Sequence, residues 1–237
     1  MKFSLVIPMY NEKSIIADTA KTLSDYMSEH FEDYEILFSN DGSKDGCDEI
    51  VRSLNLPHVR VTGYPVNQGK GCAVRTAVLE AEGDIVMFTD ADLAYGTDVI
   101  ARVAEKFAEN PDADVVIGSR NLNKDGYEGY TLLRKIASKT YIKVLCIAGG
   151  FKLSHSQCGC KAFRGEAAQK IFSHCEVNGF AFDFEAILWS QRYGCKIAEM
   201  PVKIINHRES KVHMVSDTIK MLRDLRKMKK RIRKASL

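Results

Sequence analysis

The sequence predicts an α/β protein with a mostly parallel sheet flanked by helices and a basic amphipathic helix at the C-terminus. Short β-branched apolar runs alternate with amphipathic helical windows along the first half of the chain. Residues 203–237 carry 12 Lys/Arg and 3 Asp/Glu, a formal charge of +9, which leaves −6 for residues 1–202. We therefore expect one domain over residues 1–212 and a basic helix over 213–237.

Strands are predicted where short apolar runs end in turn residues, near 3–8, 34–39, 59–63, 84–89 and 114–118. Stripes of apolar residues at helical spacing predict a helix after each of the first four strands. The alternation breaks in the second half of the chain. There we predict a helix at about 130–148, a strand near 159–163, helices near 166–173 and 182–193, a strand near 196–205 and a last helix over about 215–234.

Composition and patterning exclude several classes of protein. A hydrophobic fraction of 45% excludes a disordered chain. The seven cysteines are odd in number and scattered, and Cys158-Gly159-Cys160 lacks zinc-site spacing, so reduced thiols are expected. Basic residues concentrated at one end, rather than spread among aromatics, argue against a nucleic-acid partner.

The apolar segments of the chain are short. The run at the N-terminus is too short for a signal peptide, and no stretch reaches the roughly 18 residues that a membrane span needs. We therefore expect a cytoplasmic protein that does not span a membrane.

The segments after the strands carry the candidate site, because ligands of open α/β sheets bind outside the carboxyl ends of the strands. Residues 40–46 (Asn-Asp-Gly-Ser-Lys-Asp-Gly) follow the second strand, and Asp90 and Asp92 follow the fourth. Neither loop matches the dinucleotide-binding or the P-loop glycine pattern, which disfavours nicotinamide dehydrogenases and P-loop NTPases. Both segments could also be plain turns, since Asn, Asp, Gly and Ser are common turn residues.

The placement of Asp90 and Asp92 strengthens the functional interpretation. Two carboxylates at the end of a buried strand repel each other and lose hydration, a cost that a bound cation removes. A hard divalent ion with oxygen ligands, shared with a diphosphate, would satisfy both groups.

These segments together resemble glycosyltransferase family 2, which has the GT-A fold, a Rossmann-like sheet. The motifs that carry the resemblance are residues 6–12, 40–46, 67–71 and 90–92. Residues 117–120, 157–163, 182–185 and 208–211 are similar to the polyprenyl-phosphate glycosyltransferases, particularly the dolichyl-phosphate glucosyltransferase branch and next the dolichyl-phosphate mannose synthases.

The resemblance implies roles for individual residues. For the nucleotide sugar it implies Pro8, Tyr10, Glu12, Asp41, Lys70, Asp90, Gln157 and Lys211. Asp90 and Asp92 would bind Mg²⁺ or Mn²⁺, and Arg120, Arg134 and Ser138 would hold the acceptor phosphate. The expected catalytic residues are Asp92, Arg120, Asp183 and Arg208, the last on a loop with Lys211 that closes over the donor. The chain departs from its relatives at Ala94, His155 and Cys160, positions near the metal and the sugar pocket.

The implied reaction is metal-dependent, inverting transfer of a hexose from a nucleotide sugar of the UDP-glucose or GDP-mannose type to a polyprenyl phosphate. Two alternatives stay open. The acceptor could be a glycan hydroxyl in cell-surface polysaccharide synthesis, which would need a base such as Asp183, unless Asp183 and Glu185 only line a helix start. The chain could also be a non-catalytic nucleotide-sugar-binding module.

Two amphipathic stretches bear on the acceptor. Basic residues accompany apolar ones at helical spacing between Tyr130 and Phe151 and again from Met214 to Lys234. A basic amphipathic helix suits an interfacial anchor, so we expect a peripheral protein at the inner face of the membrane. The alternative is that each apolar stripe packs on the domain or on a second subunit.

Overall fold

The computed structural model describes residues 1–127, 132–150, 153–154, 158–206 and 214–235. The described residues form seven strands, a short 3₁₀ turn at Arg120–Leu122 and eight helices. The strands are β1 (Phe3–Met9), β2 (Tyr34–Asp41), β3 (Val59–Tyr64), β4 (Ile85–Phe88), β5 (Val115–Ser119), β6 (Lys161–Arg164) and β7 (Ile197–Pro201). The helices are α1 (Ile16–His30), α2 (Cys47–Ser53), α3 (Lys70–Glu80), α4 (Asp98–Glu109), α5 (Leu132–Gly149), α6 (Gly165–Phe172), α7 (Phe182–Arg192) and α8 (Met214–Lys234). The predicted α/β class is confirmed.

All seven strands belong to one sheet in the order β3-β2-β1-β4-β6-β5-β7. Every pairing is parallel except those of β6, which runs antiparallel between β4 and β5. The strand order reverses between β1 and β4, so the carboxyl ends of β1, β2 and β4 border the crevice in which α/β sheets bind ligands.

Two apolar layers cover the sheet because successive side chains of a strand point to opposite faces. On β1, Phe3, Leu5 and Ile7 pack with α1, α2 and α4, whereas Val6 faces the layer built from α3 and α5 to α8. Both layers are buried, which explains why the central strands read as continuous apolar runs.

The last helix is part of the second layer. Its described side chains Leu225, Met228 and Ile232 are almost fully buried against α5 and α7. The C-terminal apolar stripe could have been a membrane anchor or a packing surface, and these three residues pack on the domain. None of the helices in the described part of the chain combines the length and apolar character needed to cross a bilayer.

Candidate active site

The first element of the site is the corner after β4, where Asp90 meets Lys70. The Lys70 ammonium forms an ion pair with the Asp90 carboxylate. Burial alone would lower the pKa of Lys70, but Asp90, with Asp183 and Asp92 adding to the effect, raises that pKa above its ordinary value. Gly159 lies against Asp90, since a Cβ at Gly159 would be 2.3 Å from Asp90 Oδ2. The carboxylates of this corner thus concentrate negative charge around the Lys70 ammonium.

Asp92 lies in the turn that leaves this corner. Its Oδ1 accepts a hydrogen bond from the Ala94 backbone N–H at 3.1 Å, and the intervening Leu93 adopts a left-handed φ of 49°. The side chain of Asn206 donates to the backbone carbonyls of Asp92 and Leu93 at 3.3 and 3.0 Å. The segment that leads to the predicted Arg208 loop therefore begins against the turn that carries Asp92.

Asp41, at the end of β2, is almost fully buried and organises the loop that precedes α3. Its carboxylate accepts hydrogen bonds from the Tyr64 hydroxyl (2.8 Å), the Asn67 side-chain amide (2.8 Å) and the backbone N–H groups of Gln68 and Gly69 (2.8 and 3.0 Å). Burial and hydrogen bonding with Cys72 and Asp41 raise the pKa of Tyr64 well above its ordinary range. Asp41 thereby fixes the loop from which Lys70 extends.

The loops after β1 and β2 are linked by hydrogen bonds. The backbone N–H of Asn11 donates to the Ser43 hydroxyl (3.0 Å), and the backbone N–H of Lys44 donates to the Asn11 side-chain oxygen (2.9 Å). Pro8 pairs with Ser39 within the sheet. Tyr10 is 44% exposed beside this junction, and Glu12 is half-buried. Pro8, Tyr10 and Glu12, which are predicted for the nucleotide sugar, therefore lie around the carboxyl ends of β1 and β2, next to Asp41.

A second ion pair, between the fully buried Lys161 and the mostly buried Asp183, lies behind the Asp90 corner. The Lys161 ammonium donates to the Asp183 carboxylate at 2.8 Å and to the Cys158 carbonyl at 2.6 Å, and it lies over the Phe88 ring. Burial raises the pKa of Asp183, and the Lys161 charge only partly offsets that rise. Asp183 is therefore the partner of a buried lysine.

The predicted acceptor residues lie at the end of β5 and on α5. Arg120 begins the 3₁₀ turn, and its guanidinium lies 5.1 Å from the centre of the Tyr127 ring, over which the Lys139 ammonium also lies, at 5.4 Å. Ser138 is half-buried on α5 one residue before Lys139. Arg134 is on the same helix, but its side chain is outside the described residues, as are Gln157, Arg208 and Lys211.

Asp183 and Glu185 do lie in the first turn of their own helix, as the alternative interpretation expects, but neither side chain caps it. Asp183 pairs with Lys161, and the buried Glu185 accepts the backbone N–H groups of Glu176 and Val177 at 2.9 and 2.7 Å. Both acidic residues therefore form tertiary contacts.

Sequence reasoning missed Lys161, Tyr64 and the Glu185 contacts. Lys161 had a visible signal, since it stands between Cys160 and Ala162 in an apolar strand, where an unpaired lysine would be costly. Tyr64 and Glu185 gave no such signal because their partners are remote in sequence. The seven cysteines are all free, as predicted, and burial raises the pKa of Cys158 and Cys160, which makes them poor nucleophiles.

The donor set at the corner fits a hard divalent cation. Asp90 already holds a cationic ammonium, and both aspartates offer carboxylate oxygens, the ligands that Mg²⁺ and Mn²⁺ prefer. Among the described residues, no three His, Cys, Asp or Glu side chains converge into a full metal site. Two protein carboxylates therefore leave coordination positions for a ligand's own oxygens.

Comparisons with known proteins identify the family of the chain. Residues 4–172 match the family described as Glycosyl transferase family 2. A dolichyl-phosphate β-glucosyltransferase of Trichomonas vaginalis is 32% identical over 235 residues, covering 95% of this chain and 72% of that protein. One of Saccharomyces cerevisiae is 29% identical over 241 residues, covering 94% and 72%.

Solved structures share the fold at lower identity. Glucosyl-3-phosphoglycerate synthase from Mycobacterium tuberculosis, in complex with Mn²⁺, UDP and glucosyl-3-phosphoglycerate, superposes with a TM-score of 0.67 at 20% identity, covering 96% of this chain and 78% of that one. Mannosyl-3-phosphoglycerate synthase from Rubrobacter xylanophilus gives 0.67 at 18%, covering 100% and 77%. These structures identify the fold as GT-A, and the sequence matches favour an enzyme over a binding module. The chain belongs to glycosyltransferase family 2 and is similar over nearly its whole length to dolichyl-phosphate β-glucosyltransferases.

Proposed function

We propose that this glycosyltransferase transfers glucose from UDP-glucose to a polyprenyl phosphate, with Mg²⁺ or Mn²⁺ and with inversion at the anomeric carbon. The observation that carries the proposal is the corner formed by Asp90, Asp92 and Lys70 beside the buried Asp41. The named activity of the curated relatives supports the choice of sugar and acceptor. A GT-A structure crystallised with Mn²⁺ and UDP-glucose supports the donor class.

The corner suits a leaving diphosphate. A divalent ion held by Asp90 and Asp92 would neutralise the charge that builds on the diphosphate as the glycosidic bond breaks. Lys70 can add a second positive charge by turning from Asp90 to a phosphate oxygen, since its side chain is 25% exposed. Pro8, Tyr10, Glu12 and Asp41 would surround the base and ribose, and Gln157, Arg208 and Lys211 would complete the donor site.

The acceptor side suits a phosphate. A lipid phosphate is ionised near neutral pH and needs positioning more than deprotonation, and a guanidinium fork matches its oxygens. Arg120 follows β5 and lies on the face of Tyr127, over which Lys139 of α5 also lies, and Ser138 and Arg134 are on that helix. Attack from the side opposite the diphosphate would give a β-linked product from an α-linked donor.

Transfer to a glycan hydroxyl would need a carboxylate free to take a proton. Asp183 is the candidate, but its carboxylate accepts a hydrogen bond from a fully buried lysine. A carboxylate that is paired with the Lys161 ammonium is poorly placed to take a proton from an acceptor hydroxyl. The ion pair therefore favours a phosphate acceptor.

Membrane association at the inner face is part of the same proposal. On α5, Val144 and Ile147 are 42% and 71% exposed and are accompanied by exposed Lys139 and Lys143. On α8, the apolar side chains of Leu225, Met228 and Ile232 pack inward, and the outer face carries a basic cluster. This cluster consists of Arg226, Lys229, Lys230, Arg233 and Lys234. Exposed apolar side chains among cations suit an anionic lipid surface.

The test uses the full chain with radiolabelled UDP-glucose or GDP-mannose and either a short-chain polyprenyl phosphate or a glycan acceptor. We expect Mn²⁺-dependent glucosylation of the lipid phosphate from UDP-glucose alone, abolished by EDTA and by Asp92→Asn. Asp112→Asn, which removes an exposed surface carboxylate, is the matched control.

Asp183→Asn separates the two acceptor classes. Donor binding with loss of transfer to a glycan alone would support the hydroxyl acceptor. Donor binding by the wild-type chain without transfer to any of the acceptors would contradict the enzymatic proposal.

A further inference from the structure

The C-terminal helix reaches the donor site through a series of contacts that the proposed function does not use. Arg231 on α8 pairs with two carboxylates, those of Glu185 and Glu176. Glu185 has no exposed surface, whereas Arg231 is about one-third exposed. The helix is therefore fixed to the domain by a charge pair as well as by its apolar side.

Glu185 also holds the segment that precedes α7. Its second carboxylate oxygen accepts the backbone N–H groups of Glu176 and Val177, at 2.9 and 2.7 Å. The same carboxylate thus joins α8 to residues 176–177. Because a buried carboxylate needs its charge partner, loss of Arg231 would leave Glu185 uncompensated at this junction.

Residues 177–178 in turn contact the start of α3. The carbonyl of Asn178 accepts the backbone N–H of Gly71 at 2.7 Å, and its side-chain oxygen accepts Arg75 at 2.8 Å. A Cβ at Gly69 would lie 2.5 Å from the Asn178 carbonyl. A Cβ at Gly71 would lie 2.4 Å from the carbonyl of Val177, the residue before Asn178. Glycine is therefore required on both sides of Lys70 so that this segment can approach.

We propose that Arg231 and Glu185 are positioning residues of the donor site, which hold residues 176–178 against Gly69–Gly71 and thereby place Lys70 beside Asp90. Neither residue is among those proposed to bind the donor. The inference rests on the proposed donor role of Lys70. It makes docking of the basic C-terminal helix a condition for tight nucleotide binding.

The test compares Arg231→Ala with Arg233→Ala, which removes the same charge from an exposed position two residues away. The first readout is backbone amide exchange of the peptide covering Gly69–Ala73 without ligand. The second is the affinity for UDP with Mn²⁺, measured by calorimetry far below the melting temperature. A purely structural role would lower the melting temperature and leave both readouts unchanged.

We expect Arg231→Ala to accelerate exchange at Gly71 and Cys72 and to weaken UDP binding by about fivefold or more, and Arg233→Ala to change neither. Arg231→Lys retains the charge but has one nitrogen for two carboxylates, so its effects should be intermediate. If Arg231→Ala does not fold, Arg231→Lys decides by the same readouts.

Unchanged exchange at Gly69–Ala73, or unchanged UDP affinity in a variant whose exchange has risen, would overturn the inference. Failure of the wild-type chain to bind either UDP or GDP would instead refute the proposed donor, and the exchange readout would then decide the positioning role alone.

Discussion

The Lys70 ammonium contacts the Asp90 carboxylate at the carboxyl end of β4, so one cation of the chain already occupies the most acidic corner of the site. A divalent ion that binds Asp90 through Oδ1 would displace this ammonium. The displaced lysine is then available to the diphosphate, which brings its own negative charge. Metal and nucleotide are therefore expected to bind more tightly together than separately.

Replacing Lys70 with Gln should separate the two binding steps. Without the competing ammonium, Mn²⁺ alone should bind up to about fivefold more tightly, since a partly exposed ion pair contributes up to roughly 1 kcal/mol. UDP should bind more weakly in the presence of Mn²⁺, because a charge has been removed from the diphosphate site. Titration of Mn²⁺ by water-proton relaxation, with and without UDP, measures both affinities. Equal weakening of Mn²⁺ binding and of UDP binding would contradict the movement of Lys70 from Asp90 to the diphosphate.

The Asp41 carboxylate should contribute both to stability and to donor binding. In Asp41→Asn, an amide N–H would replace an oxygen that now accepts from Tyr64, Asn67 or the loop backbone. Loss of charged hydrogen bonds should cost about 2 kcal/mol, or a fall of about 4–8 °C in melting temperature for a chain of this size. UDP affinity should fall as well, because the loop before Lys70 loosens.

Thermal unfolding and UDP calorimetry on one preparation test the Asp41 prediction. Asp112→Asn, at an exposed site, should leave both quantities unchanged. A melting temperature of Asp41→Asn within about 1 °C of the wild type would contradict the structural role of Asp41.

The alternation of strands and helices was predictable because apolar periodicity reports directly which face of an element is buried. Six of the seven strands and the last helix lie close to their predicted ranges, whereas β7 ends at Pro201, four residues before the predicted end. The antiparallel insertion of β6 between β4 and β5 was not predictable, because strand order depends on long-range pairing that leaves no local pattern.

The candidate site likewise contains residues that the sequence could indicate and contacts that it could not. Asp41, Asp90 and Asp92 could be proposed from the sequence because polar residues after buried strands are conspicuous. The contacts of Lys70 with Asp90 and of Arg231 with Glu185 join residues 20 and 46 positions apart. Such pairs depend on the fold and could not be assigned from spacing.

The exposed apolar side chains of α5 should contribute to membrane binding. Ile147→Glu removes an apolar group that is 71% exposed and places a negative charge among lysines. Burial of an isoleucine is worth about 1.5–3 kcal/mol, so binding to anionic vesicles should weaken by about tenfold or more. Sedimentation with phosphatidylserine-containing vesicles measures this. Leu79→Glu, on the exposed side of α3, is the control, and equal effects of both variants would contradict a specific α5 surface.

Glu35 should make stability depend on pH at the opposite end of the sheet. Burial would raise the pKa of its carboxyl, but hydrogen bonds from Ser4 (2.6 Å), the Glu82 backbone N–H (2.7 Å) and Arg60 (3.0 Å) outweigh burial and lower that pKa below 4.5. A lowered folded-state pKa means that the charged form stabilises the fold above the unfolded-state pKa, and that this stabilisation is lost as the pH falls through the folded-state value.

Glu35→Gln should therefore cost about 2 kcal/mol at pH 7, because an amide N–H would face the Arg60 guanidinium in place of a carboxylate oxygen. The difference between wild type and variant should shrink as the pH falls below 4.5. Urea unfolding at pH 7 and at a series of acidic pH values measures the two free energies. Glu32→Gln, three residues earlier and exposed, should show no difference at any pH. A gap between wild type and Glu35→Gln that stays constant through the acidic range would mean that packing, and not the charge of Glu35, stabilises this junction between β1, β2 and β3.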